Sequence, residues 1–109
     1  MRAGAKSLHP GRLTKVVTLE RAATAPSGDT VWTADGTLRA GIEPVGAGER
    51  ELAGHVEGTA THRILLNGRA AVTSRDRLVL GDRRFRILAA YDPDETGRWL
   101  VCLAEEASR

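Results

Sequence analysis

Apolar and polar residues alternate along most of this chain in short runs of period two, the spacing of strands that bury one face. Lys15–Arg21 (KVVTLER) sets Val17 and Leu19 against Thr18 and Glu20. Ala22–Asp29 (AATAPSGD) is turn-rich and predicts the end of that strand. Thr30–Thr33 predicts a short strand before an Asp35-Gly36 turn. Alternation returns from Leu38 to Pro44, with Leu38, Ala40 and Ile42 on one side and Arg39 and Glu43 on the other. Pro44 has no N–H to give to a ladder, so the strand ends there or lies at an edge. Thr59–Leu66 resumes the pattern before the Asn67-Gly68 turn signal. Arg77–Leu80 and Arg84–Tyr91 flank Gly81-Asp82-Arg83 as a hairpin, with Phe85, Ile87, Ala89 and Tyr91 predicted on one face. Asp92–Gly97 is a turn cluster and Trp99–Ala104 the last strand. The sum is an all-β chain, a small antiparallel barrel or sandwich of about six strands.

One segment breaks the pattern. Gly46–Gly58 (GAGERELAGHVEG) carries four glycines, and its middle, Glu49–Ala53, has room for one or two helical turns. A loop this long inside a compact domain is usually there to act. Gly46, Gly48, Glu49, Arg50, Glu51, His55, Glu57 and Gly58 are therefore the candidate partner-contact residues. Residues 1–10 (MRAGAKSLHP) read as an arm that is disordered or docks on a partner, with Arg2, Lys6 and His9 as its candidate contacts. The division is an arm at 1–10, one domain at 11–106 and a tail at 107–109.

Composition narrows the function. Aromatics are 4% of the residues and net charge is only +2, with Arg and Asp/Glu interspersed, which favours ion pairs on strand faces over a basic nucleic-acid groove. His9, His55, His62 and the single Cys102 show no metal-ligand spacing, so no metal or cofactor is expected. His62 falls on the apolar face with Ile64 and Leu66 and reads as a hydrogen-bonded core histidine. Cys102, inside an apolar run, reads as a buried small hydrophobe. No serine sits beside a base in an elbow sequence, and the Asp92, Asp94 and Glu95 carboxylates belong to a turn. The expectation is not an enzyme. No run approaches the roughly 20 apolar residues that span a bilayer, so no membrane partner is expected.

Several segments, in order, resemble the phage head–tail joining family, also called head-closure or stopper proteins. They are Gly11-Arg12-Leu13 with Val17-Thr18-Leu19-Glu20-Arg21, then Trp32, then Ala40-Gly41-Ile42-Glu43-Pro44-Val45 followed by Gly48-Glu49-Arg50-Glu51. Thr61-His62-Arg63-Ile64 follows, and Arg77-Leu78, Gly81-Asp82-Arg83, Phe85-Arg86-Ile87 and Asp92-Pro93-Asp94 close the series. The resemblance implies a β-barrel subunit in a homo-oligomeric ring of six or twelve copies at the virion neck, made in the bacterial host cytoplasm. Its neighbours would be the portal–adaptor ring above and a tail terminator or tail tube protein below, with double-stranded DNA passing without sequence readout. Phage-like gene transfer particles use similar rings. The competing readings are a nucleic-acid-binding barrel, with Trp32, Tyr91 and Trp99 as candidate stacking residues, and another neck ring such as a tail terminator.

Overall fold

The computed structural model describes residues 10–45 and 59–107. Six strands follow a 3-10 turn at Pro10–Arg12: β1 (Lys15–Thr24), β2 (Thr30–Pro44), β3 (His62–Asn67), β4 (Asp76–Leu80), β5 (Arg83–Tyr91) and β6 (Trp99–Ala107). Every neighbouring pair is antiparallel, and the order β1-β2-β3-β6-β5-β4 closes into a barrel. Closure removes the sheet edges that a small open sheet would leave exposed.

The alternation read from the sequence sets what fills the barrel. Val17 and Leu19 of β1, Ala40 of β2, Ile64 and Leu66 of β3, Leu78 of β4, Phe85 and Ile87 of β5, and Cys102 and Ala104 of β6 form one buried cluster, with Val72 from the β3–β4 connection. Aliphatic side chains fill most of the core, so Phe85 is its single aromatic ring. Two smaller clusters lie outside this one. Leu13 covers Leu65, Trp99 and Val101, and Ala60 packs with Leu88 against Leu103.

The N-terminal segment is thus a strap across the barrel wall. Gly41 makes room for it: a Cβ on Gly41 would sit 2.5 Å from the Arg12 carbonyl oxygen.

Two strand predictions fail for the same physical reason, a bulge. Asp35-Gly36 is not a turn, because β2 is one strand from Thr30 to Pro44. Thr18 pairs with Thr37 and Glu20 with Ala34, so Leu19 alone faces two β2 residues, and Gly36 takes the left-handed conformation (φ 88°) that such a bulge requires. Accordingly β1 runs on through Ala22–Thr24 instead of ending at Arg21. In β5 the register slips between Ile87 and Ala89, which inverts the alternation. Ala90 then faces the core while Tyr91, predicted to lie with Phe85, is 44% exposed.

Trp99 is buried under the strap and offers no stacking face. Cys102 is fully buried, as its context predicts, and burial pushes its thiol up to about 12.

Candidate functional site at the loop pole of the barrel

Strand directions sort the connections onto two poles. The start of β1, the end of β2, the start of β3, the β4–β5 turn and the end of β6 share one pole. The β1–β2 turn, the β3–β4 connection and the β5–β6 turn share the other. Segment 46–58 leaves and re-enters the barrel at the first pole, beside the strap. Its candidate residues Gly46, Gly48, Glu49, Arg50, Glu51, His55, Glu57 and Gly58, and Arg2, Lys6 and His9 of the arm, lie outside the described residues. The seat from which that segment departs is described.

The seat is clasped at both ends. Val45 is buried, and its N–H donates to the Thr61 carbonyl at 3.1 Å; the Thr61 N–H donates to the Ala104 carbonyl at 2.8 Å. The Thr61 hydroxyl accepts the Glu106 N–H at 2.8 Å and meets His62 Nδ1 at 2.9 Å. Ala60, fully buried, plugs the wall next to these bonds.

Two charged groups brace the clasp. Glu43 accepts from Arg12 of the strap at 2.7 Å and lies 3.4 Å from Arg63 Nε, its register partner on β3. Glu106 binds Arg83 through both oxygens, at 2.8 and 3.1 Å, and stands 3.8 Å from His62 Nε2. The Arg83 hydrogen bond holds the Glu106 carboxyl below its ordinary range, and Glu106 in turn raises Arg83. Arg83 also covers the Phe85 ring at 4.9 Å, and His62 meets that ring edge-on at 5.2 Å. His62 is therefore hydrogen-bonded as expected, but half-buried at the barrel mouth rather than inside the core.

The segments that carry the family resemblance meet here. Ile42, Glu43 and Pro44 pair with Ile64, Arg63 and His62, so motifs separated by the loop become one two-stranded seat beneath it. Thr61 and Glu106 are the clasp positions that strand patterning misses; the Thr-His-Arg motif marks the first, and nothing in the pattern marks the second.

The opposite pole is held differently. Arg21 donates to Asp35 at 2.9 Å, to Asp76 at 2.7 Å and to the Ala71 carbonyl at 2.8 Å. Asp92 accepts the N–H groups of Asp94, Glu95 and Gly97, and Asp94 accepts the Thr96 hydroxyl, which holds its carboxyl below the usual value. The carboxylate cluster organises its turn, as its sequence context predicts. Among the described residues no group of His, Cys, Asp and Glu is placed to hold a metal ion, and no helix is long and apolar enough to cross a membrane.

Known structures share this architecture. A chain from the virion of a native gene transfer agent particle is similar over 90% of this chain and 98% of its own length, with 26% identity and a TM-score of 0.64. A protein of Shigella flexneri 2a, solved in solution, shares the fold over 94% of this chain and 99% of its own, with 22% identity and a TM-score of 0.69. No match was found among curated proteins. The model of the phage head completion proteins matches residues 8–107, and with nearly its whole length in that match this chain belongs to the phage head completion protein family.

Proposed function

We propose that this chain forms a stopper ring in the neck of a tailed phage or a phage-like gene transfer particle. Six or twelve copies sit between the portal–adaptor complex and the tail, retain packaged double-stranded DNA and offer the tail its attachment platform. The role is structural and not catalytic. The observation that carries this reading is the clasped seat at the loop pole. Its support in kind comes from family membership and the likeness to a chain of a gene transfer agent virion.

A rigid seat under a glycine-rich segment suits a movable barrier. The seat fixes where each segment leaves its subunit, and glycines at 46, 48, 54 and 58 lower the cost of backbone rearrangement. Glu49, Glu51 and Glu57 outnumber Arg50, and an acidic lining repels the phosphate backbone instead of gripping it. Segments from all subunits would converge to narrow the channel and move aside at ejection. The arm, through Arg2, Lys6 and His9, would attach the subunit to a neighbour or to the adaptor.

The test replaces residues 47–57 with a short Gly-Ser linker. The variant should fold and join the ring, yet give particles that leak DNA or fail to accept tails. Full heads and normal titres from that variant would defeat the gating role. Imaging of intact particles that found this chain outside the neck would defeat the assignment as a whole.

A further inference from the structure

Beyond its root, the hairpin at the pole opposite the loop has no third strand beside it among the described residues. β1 pairs with β4 only from Thr18 to Arg21, and β2 with β3 only from Ala40 to Pro44. Ala22–Thr24 and Thr30–Arg39 therefore have only β1–β2 pairing among the described residues. From Ala22 to Thr37 every residue except Ala25 and Trp32 is exposed, and the stretch contains no Lys or Arg. Exposed strand edges are ordinarily guarded by lysines or covered. Across residues 22–24 and 30–37 the one charged residue is Asp35, and Val31 is 46% exposed.

The arm is stiff at its root. Arg21 ties it to β4 and to the β3–β4 connection. On the outer face Arg77 pairs with Glu20 at 2.6 Å and stacks its guanidinium 4.2 Å over the Trp32 ring. A pre-ordered arm loses little conformational entropy when it docks.

We infer that the β1–β2 arm is the ring-forming element, the arm of one copy lying on the outer face of β1–β2 in the next copy, at Val16 and Arg39. This rests on the ring reading above. The second copy is the occupant because the chain carries the complement of its own arm tip. Val16 is 52% exposed and is the register partner of Arg39. Neither Arg39 nor neighbouring Lys15 has an acidic partner among the described residues. The arm presents Asp29 and, two residues on, Val31. A valine beside an acid thus meets a valine beside a cation, Arg39. The two patches lie at opposite ends of one hairpin, Val31 opposite Ala23 and Val16 seven residues further down β1, roughly 23 Å away at strand spacing. Contact is therefore between copies, and an interface that joins two different patches builds a ring when its rotation closes.

The test uses particles carrying the full chain with Val16→Cys and Val31→Cys together, treated with a short bismaleimide. The buried Cys102 thiol does not compete. A ladder of dimers, trimers and larger species ending at the ring number is expected, and each single variant should stay monomeric. Monomers from the double variant in particles whose rings are intact by imaging would overturn the arm contact and leave the ring reading standing; unmodified particles with no ring of this chain would overturn both. A charge swap decides independently if the double-cysteine particles do not assemble. Asp29→Arg should lower incorporation at least tenfold, and adding Arg39→Asp should restore it. Failure of that rescue overturns the proposal.

Discussion

Arg21 reaches Asp76 across 2.7 Å at the last register pair between β1 and β4, where the barrel closes. Asp76 is the one buried charged residue among those described, 3% exposed, and its carboxylate also accepts the Thr73 N–H and hydroxyl. Removing one partner of a buried ion pair strands the other without its hydrogen bonds. Asp76→Ala should cost about 2 kcal/mol in urea unfolding, since it also strands the Thr73 amide. Asp76→Asn, which keeps an acceptor for Thr73, should cost less. Equal losses would mean that the ion pair carries the effect and the Thr73 contacts do not.

The strap depends on a missing side chain. Gly41→Ala would press a Cβ against the Arg12 carbonyl, so strap or strand must shift, at about 1–3 kcal/mol. The melting temperature should fall, and backbone amides near Leu13 should exchange faster than those of β5. Unchanged exchange at Leu13 would show that the wall yields instead of the strap.

The pairing of Glu106 with Arg83 gives a pH signature. The carboxyl is held below its ordinary value of 4.5, so its contribution is complete above the unfolded value and is lost as pH falls through the folded one. The stability gap between the native chain and Glu106→Gln should be steady above about pH 6 and close progressively below 4.5. Both groups are partly exposed, so the gap should stay under about 1 kcal/mol. Denaturant midpoints across that range measure it, and a gap that widens in acid would contradict the assignment.

Cys102 should be inert while the chain is folded. Its side chain is sealed in the core and its thiol is pushed up to about 12, leaving almost no thiolate near neutrality. A coloured thiol reagent at pH 8 should react only on the timescale of unfolding, and promptly in denaturant. Rapid native labelling would reveal an opening of the β3–β6 wall.

The barrel was legible where one face is buried and the period stays at two. Val17 with Leu19, Ile64 with Leu66, and Phe85 with Ile87 all lie in the core as their spacing predicts. Legibility ends at the bulges, because one inserted residue inverts every later position: by pattern Gly36 reads as a turn and Tyr91 as a core residue. The strap was hidden for another reason. Leu13 precedes any alternating run, and Gly41 signals a close approach without saying what approaches. Around the loop, motif residues pointed to the right strands, but the pairing of Glu43 with both Arg12 and Arg63 needs the register of β2 against β3.

The clasp between Val45 and Thr61 also separates the fate of the barrel from the length of what it holds. Once its ends are fixed, a flexible loop pays only logarithmically for size, about 0.6 kcal/mol for each doubling. Residues 46–58 can therefore be shortened, extended or rewritten at little thermodynamic cost, provided the seat survives. Selection can change the length and sequence of the segment while the six strands stay as they are.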